Sequence, residues 1–322
     1  MTRMPFLLLL PALAFAASAQ PFPADSLAPG SFRVYTHDGA PASLEAIVVA
    51  AADAEVLFLG EVHDDSVTHV LQHDLLVRAV TRLAGTRPVA LSMEMFEQDV
   101  QVVLDEYAAG LITEDHFLRS SRPWAGYAAH YRPMVEFARA HGLAILAANP
   151  PRRYANRVSR LGPEALADLP PEARAWLPPL PYPGPSDAYR ARWNALMQDM
   201  AAAHPAPQDT TAAPATAADT AAASPPPMHG MGHMLDAQAL WDAGMAYTLA
   251  QHLMRAPGSL VVHLAGAFHV ERGLGTPEQL RGYRPGTRML VVAMRPAADV
   301  TAFDADEHAG LGDFIVLTAA AR

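Results

Sequence analysis

The chain has 322 residues, of which 51% are hydrophobic, and this supports a full core in one large or two modest domains. The formal net charge of -10 excludes electrostatic binding to nucleic acid. The chain contains no cysteine, which excludes disulfides, thiolate catalysis, cysteine metal sites and a lipid anchor on an N-terminal cysteine.

The first segment, residues 1–19, has the pattern of a signal peptide. Arg3 supplies a positive charge, residues 6–16 form an apolar stretch, and Ala17-Ser18-Ala19 matches the small-residue cleavage pattern. Cleavage before Gln20 is therefore expected, and the mature protein is expected to be periplasmic or secreted. The alternative is an uncleaved anchor, for which the apolar stretch is short. No other segment is long and apolar enough to predict a stable membrane span.

After a surface lead-in over 20–45, strands and helices alternate along the chain. Short apolar runs predict strands at 56–59, 88–93, 143–148, 260–265, 288–294 and 314–318. Helical spacing of apolar residues predicts helices at 43–54, 67–83, 100–107, 113–118, 130–141, 154–161, 187–203 and 235–254. The alternation predicts an α/β fold with a mostly parallel sheet, flanking helices and a small helical subdomain.

The alternation stops between 150 and 234, and this divides the chain. We expect residues 20–149 and 235–322 to form the α/β domain and residues 150–234 to form the helical subdomain. Residues 205–227 are almost entirely Ala, Pro, Thr and Asp, which predicts a disordered loop. The stretch after that loop, 228–234, reads MHGMGHM. It suits either a soft metal such as copper or a loop end whose Met residues pack on the subdomain.

Polar side chains follow four of the predicted strands. They are Glu61 and His63, Glu94, Asn149, and His269. In open parallel sheets ligands bind outside the carboxyl ends of the strands, so these side chains are expected to share one rim. Glu61, His63, Glu94 and His269 suit a divalent metal or a proton-transfer site. The alternative is that they cap helices and satisfy loop amides.

Two further groups have residue types that bind metals. His69 and His73 lie four apart on one predicted helix, which is metal-ligand spacing, but the apolar pattern of that helix predicts that they lie on a solvated face. Tyr127, His130 and Tyr131 lie beside Trp124. A Tyr can ligate ferric haem and a His can hold it in place, and the alternative is an aromatic core helix.

Motifs in several parts of the chain together resemble the ChaN-like family of haem-binding, iron-regulated bacterial proteins. They are LGEVHD from Leu59, SMEMFE from Ser92, AANPPRR from Ala147 and AGAFH from Ala265, and Gln101, Asp242 and GLGTP from Gly273 also fit. Their order and spacing, not any single motif, carry the resemblance from Glu55 to Leu280. The chain differs from the family's usual form in lacking a lipoprotein cysteine.

The resemblance implies a large α/β domain, a small helical one, and cofacial haems held between two monomers. It also implies that one Tyr binds each iron, and we expect Tyr131 first, Tyr127 second and Tyr154 third, with His130 in the same site. The leading hypothesis is therefore an exported haem-binding protein of iron or haem uptake or handling that forms a homodimer on binding haem.

The alternative hypothesis is a divalent-metal-dependent hydrolase. The paired Gly-x-x-His motifs, Gly60 to His63 and Gly266 to His269, resemble more distantly the TraB/Tiki metalloproteases and the erythromycin esterases. That resemblance implies that His63, His269 and a carboxylate hold a metal that activates water, with Glu61 or Glu94 as the base.

Overall fold

The computed structural model describes residues 22–203 and 232–320. The predictions for the signal peptide (1–19), the low-complexity loop (205–227) and most of the MHGMGHM stretch (228–231) lie outside the described residues.

The described residues form an eight-stranded sheet. The strands are β1 (Phe32–Thr36), β2 (Pro41–Ala42), β3 (Val56–Glu61), β4 (Val89–Glu97), β5 (Ala144–Asn149), β6 (Leu260–Gly266), β7 (Met289–Ala297) and β8 (Phe314–Ala319). Their order across the sheet is β2-β1-β8-β7-β3-β6-β4-β5. Neighbours from β8 to β5 pair in parallel, whereas β1 pairs antiparallel with both β8 and β2. The α/β fold with a mostly parallel sheet is therefore confirmed.

Helices join the strands and cover both faces of the sheet. They are α1 (Leu44–Ala51), α2 (Ser66–Leu83), α3 (Gln101–Ala108), α4 (Glu114–Ser121), α5 (Arg132–Ala140), α6 (Arg152–Leu161), α7 (Pro171–Arg174), α8 (Asp187–Ala203), α9 (Met234–Arg255), α10 (Thr276–Tyr283) and α11 (Ala305–His308). A single π-helical turn, Tyr127–Tyr131, precedes α5. Asp65 caps α2, since its carboxylate accepts hydrogen bonds from the amides of Val67 and Thr68. Among the described residues, no helix has the length and apolar character needed to cross a membrane.

Strand alternation sends successive side chains to opposite faces of the sheet. Leu57 and Leu59 of β3 pack with Leu71 and Leu75 of α2 in the largest apolar cluster. Phe58 of β3 packs on the other face, with residues of α9 such as Leu249 and Leu253. Because both faces are covered, the inner strands are uniformly buried, and this explains their unbroken apolar sequences.

Helix α6 and the chain that follows it pack on α9. Val158 of α6 and Leu177 share an apolar cluster with Leu240 and Ala243 of α9. The same helix, α9, contributes Met245 and later residues to the cluster against the sheet. The division into an α/β domain and a helical subdomain stays a prediction.

Candidate functional site

Two carboxylates mark the carboxyl ends of strands that flank β6. Glu61 is the last residue of β3, and Glu94 lies in β4 where the pairing with β5 shifts register. Glu61 has the same phase as Leu57 and Leu59, so it faces α2 and α5. Glu94 has the same phase as Ala90 and Ser92, so it faces α9. The rim therefore carries one buried carboxylate on each face of the sheet.

Glu61 is the centre of the polar cluster on the α2 face. The hydroxyl of Tyr131 donates to its Oε1 at 2.5 Å, and Nε2 of Gln72 donates to its Oε2 at 2.8 Å. Nδ1 of His63 also donates to Oε1, at 2.8 Å. Burial raises the pKa of Glu61, but the hydrogen bonds from His63, Tyr131 and Gln72 and the nearby His69 outweigh burial and hold the pKa below its usual value. Glu61 is therefore an ionised carboxylate with every donor close by directed at it.

His69 belongs to this buried cluster, so the prediction of a solvated face for it was wrong. Its Nδ1 lies 3.0 Å from Oε1 of Gln72 and its Nε2 lies 3.1 Å from the carbonyl oxygen of His63. Polar partners inside the core, which an apolar-spacing pattern does not reveal, allow the imidazole to be buried. His73, one turn later, is half-buried, and burial lowers its pKa.

His63 lies between the two carboxylates. Its side chain is half exposed, and its ring packs edge-on to Trp124, with 5.0 Å between the ring centroids. The hydrogen bond to Glu61 raises the pKa of His63 against the opposing effect of burial, and Glu94 adds to the rise. The ring lies over Gly266, since a Cβ on that glycine would be 3.0 Å from Cε1 of His63.

The second polar cluster lies on the α9 face. Oε2 of Glu94 accepts the amide proton of Gly266 at 2.7 Å, and Oε1 lies 3.7 Å from Nε2 of His269. Nδ1 of His269 donates to Asp242 of α9 at 2.9 Å, and Thr276 donates to the same carboxylate oxygen. Burial lowers the pKa of His269, but Asp242 and Glu94 outweigh it and raise the pKa to about 9.

Asp242 was not predicted as a site residue. It is the only acidic residue on the buried side of α9 between Leu240 and Leu253, and that isolated charge was the available signal. Tyr189 on α8, also buried and also unpredicted, faces Asp242, and burial together with the Asp242 carboxylate raises the pKa of the tyrosine hydroxyl. Asn149, buried at the end of β5, is separated from the two clusters by β4.

A cleft of about 900 Å³ opens over the rim, between the sheet edge and α8. Its lining includes the rim residues Glu61, His63 and His269, the apolar Trp193, Leu196 and Phe268, the arginines Arg192, Arg272 and Arg295, and the acidic Asp199, Glu271 and Glu307. Buried Glu271 holds two of these arginines, with Arg192 and Arg295 each 2.5 Å from its Oε2. The cleft thus offers an aromatic wall and cationic groups beside an imidazole–carboxylate pair.

The tyrosines predicted as haem ligands do not line this cleft. Tyr131 is buried, and burial together with the Glu61 carboxylate raises its pKa well above the usual range. Tyr127 is buried beside Phe96 and Phe117, and burial raises its pKa. Tyr154 lies on α6 under the guanidinium of Arg153. Tyr127 and Tyr131 are therefore part of the buried core, and haem ligation by one of the tyrosines stays a prediction.

His130, the remaining member of the predicted haem set, stacks on His69 with 4.3 Å between ring centroids. It lines a different groove of about 620 Å³, beside Phe22, His73 and Pro133. His130 therefore lines this groove and not the cleft, although it contacts the Glu61 cluster through His69, and Tyr131, the next residue, donates to Glu61.

The four rim residues predicted to bind a metal come together, but they do not form a metal site. Throughout the described ranges, no group of three or more His, Asp or Glu side chains is arranged to hold a metal ion. Several of their donor atoms already have partners: the Glu61 oxygens accept from Tyr131 and Gln72, and Nδ1 of His269 donates to Asp242. The prediction of a divalent metal is therefore not supported.

The fold and the rim define an α/β protein with a ligand cleft at the carboxyl ends of its parallel strands. The chain matches the family described as haem-binding uptake, Tiki superfamily, ChaN, over residues 47–280. Since the match covers more than half of the chain, this protein belongs to that family, as the sequence motifs predicted. No curated protein matches the chain significantly in sequence.

A solved structure shares its fold, and two others were matched at lower similarity. One, described as cofacial heme binding to ChaN of Campylobacter jejuni, is 16% identical, with a TM-score of 0.63 over 89% of this chain and 96% of that chain. An erythromycin esterase, EreC, in an open conformation is 10% identical, with a TM-score of 0.44 over 82% of this chain and 77% of that chain. The type III effector HopBA1 is 10% identical, with a TM-score of 0.40 over 86% and 93% of the two chains.

Proposed function

We propose that this protein binds haem in the cleft over the rim and takes part in haem or iron uptake or handling. Membership of the haem-binding uptake family supports a haem-related function. The observation that carries the proposal is the cleft itself, which combines an apolar wall, exposed cations and an imidazole over one side of the sheet edge. Its volume is in the range of small-molecule and cofactor sites.

The cleft residues fit a haem by their chemistry. A porphyrin presents a large apolar plate, and Trp193, Leu196 and Phe268 offer a complementary surface. Its two carboxylates suit guanidinium groups, of which Arg272 is exposed at the cleft wall. Its iron needs an axial donor, and the cleft contains imidazole nitrogens. When bound, the haem would be iron-containing cargo that the protein carries, and no reaction step is proposed for it.

Ligation of the iron by Tyr131, implied by the family resemblance, needs a rearrangement. Its hydroxyl proton is held by Glu61, and an iron-binding tyrosine must lose that proton. The raised pKa of Tyr131 opposes this loss in the folded protein. Tyr131 contacts the rim residue Glu61, whereas Tyr127 contacts Phe96 and Phe117 and Tyr154 contacts Arg153. Tyr131 is therefore the first tyrosine to test.

Export and a haem-linked homodimer complete the proposal. The N-terminal pattern supports export, and N-terminal sequencing of the mature protein should then start near Gln20, whereas intact Met1 from soluble cytoplasm would contradict it. Cofacial haem binding by ChaN of Campylobacter jejuni supports pairing of two copies. A ligand that binds the paired state better promotes pairing, so the apparent mass should rise on adding haem.

The proposed site is tested by a haem titration followed through the Soret absorption band. Trp193→Ala removes part of the cleft wall and should weaken haem binding about tenfold, the effect of losing an aromatic contact worth about 1.4 kcal/mol. Trp176→Ala is the matched control, since Trp176 is an exposed tryptophan that does not line the cleft. Equal affinities of the two variants would place haem elsewhere. If wild type shows no saturable change in the Soret band, haem binding is refuted.

A further inference from the structure

We propose that Arg272 and Arg295 form the carboxylate-binding end of the cleft and make it selective for porphyrins whose carboxylates are free. The inference rests on the proposed haem function and adds the residues that determine specificity and the direction in which the ligand lies. It concerns the carboxylates of the ligand and does not depend on which residue binds the iron.

The first step is the charge balance among the arginines of the cleft. Arg192 and Arg295 each contact Oε2 of Glu271 at 2.5 Å, whereas no carboxylate of the described residues forms an ion pair with Arg272. Three guanidinium groups therefore lie around one buried carboxylate. Burial lowers the pKa of Arg192, Glu271 opposes this effect, and the charges of Arg295 and Arg272 lower the pKa further. The positive charge in excess favours an anionic ligand.

The second step is the backbone conformation of Arg272. Its φ of 60° and ψ of 15° lie in the left-handed region, which residues with a side chain rarely adopt. Its amide donates to the carbonyl oxygen of Leu311 at 2.7 Å, and this bond holds the conformation. Glycine would fit the position without strain. An arginine in its place, exposed at the cleft wall, indicates a use for the side chain, since strained residues cluster at ligand clamps.

The third step is the orientation of Arg295. Its Nε donates to Oε1 of Glu271 at 2.6 Å and its Nη2 donates to Oε2 at 2.5 Å, which is a two-point fork. Its Nη1 makes no hydrogen bond within residues 22–203 and 232–320, and 37% of the side chain is exposed. Glu271 therefore fixes the guanidinium before a ligand arrives and leaves one nitrogen for it.

Two other carboxylates line the cleft, but they do not neutralise Arg272. Asp199 and Glu307 are both exposed, and neither is paired with Arg272 in the part of the chain that the structure describes. Water screens exposed charges, so these acids reduce the attraction for an anion without removing it.

The arrangement sets the direction of the ligand. A haem carries its two carboxylates on one edge and is apolar elsewhere. Trp193 and Leu196 of α8 form an apolar wall for the body of the ring, while Arg272 and Arg295 offer a partner for each carboxylate. Esterifying the carboxylates keeps the apolar body and removes the charges, so an ester should lose the contribution of the arginines and keep that of the wall.

The experiment compares haem with haem dimethyl ester by Soret titration. Wild type should bind the free acid at least about tenfold more tightly, the effect of one hydrogen bond between charged groups. Arg272→Gln keeps the length of the side chain and removes its charge, so it should bind haem about tenfold more weakly and the ester as wild type does. Arg119→Gln is the matched control, because Arg119 is an exposed arginine that does not line the cleft.

Two further measurements separate ligand binding from iron ligation and from folding. Metal-free protoporphyrin IX and its dimethyl ester should show the same preference for the free acid in wild type, since no iron takes part. Arg272→Gly should lower haem affinity as much as Arg272→Gln does, yet its unfolding midpoint should equal or exceed that of wild type, because glycine relieves the left-handed strain. A lower midpoint with unchanged haem affinity would show that Arg272 serves the fold.

The outcomes separate this inference from the proposed function. If wild type binds haem and its dimethyl ester equally well, haem binding stands and carboxylate selectivity is refuted. Equal haem affinities of Arg272→Gln and Arg119→Gln would refute the role of Arg272. Absence of saturable haem binding by wild type would overturn the proposed function and, with it, the ligand on which this inference rests.

Discussion

Replacing Asp242 with asparagine tests the charge pairing beneath the cleft. Although burial alone would lower the pKa of His269, Asp242 and Glu94 raise it to about 9. A histidine in the unfolded chain has a pKa of about 6.5. Because the folded-state pKa is the higher of the two, the pairing stabilises the fold fully below about pH 6.5, and its contribution is lost as the pH rises through about 9.

The magnitude follows from the gap between the two pKa values. At about 1.4 kcal/mol per pH unit, the interval from about 6.5 to about 9 corresponds to about 3 kcal/mol of unfolding free energy. Asp242→Asn keeps the side-chain shape and removes the charge. The variant should therefore be less stable than wild type at about pH 6. Because Glu94 also raises the pKa and is kept, the difference should shrink by at most about 3 kcal/mol by about pH 9.5.

Urea unfolding at both pH values measures this difference. Asp236→Asn is the control: Asp236 is on the same helix and also contacts a histidine, but that pair is exposed, so its difference from wild type should change little with pH. A constant stability gap between Asp242→Asn and wild type across the pH range would refute the reasoning, since it would mean that His269 is neutral in the folded protein.

Two further substitutions test packing and buried charge. Gly244→Ala should destabilise the protein by about 1–3 kcal/mol in urea unfolding, because its Cβ would lie 1.9 Å from Cγ of Pro150 and a proline ring cannot move aside. Gly282→Ala, in an exposed helical position with open space, should instead be neutral or stabilising, and a similar loss in both variants would argue against the clash. Glu271→Gln should lower the free energy of unfolding by about 3 kcal/mol, because it leaves two cleft arginines without their carboxylate. An unchanged unfolding midpoint would show that these arginines find other partners.

The position of the rim residues at one edge of the sheet could be predicted, because parallel strands align their carboxyl ends. Uniformly apolar runs stop at Glu61 and Gly266, and no other simple element explains such short buried runs followed by polar groups. The six strands with that pattern were all predicted. The antiparallel strands β1 and β2 were not, since FRVYT and PA are short and lie in a stretch with proline and glycine whose composition predicts a surface lead-in.

The arrangement within the rim could not be predicted from the same pattern. Glu61 and Glu94 look equivalent in sequence, yet the phase of each strand sends them to opposite faces of the sheet. His69 and Asp242 lie on helices whose apolar spacing hides them, and their burial depends on partners distant in sequence, such as Glu61 and His269. Contacts of that kind require the three-dimensional packing.

The structure of the protein with bound haem is the most direct test of the central claim. The account predicts a porphyrin in the cleft, packed against Trp193. A porphyrin in the separate groove beside His73 and His130 would contradict it.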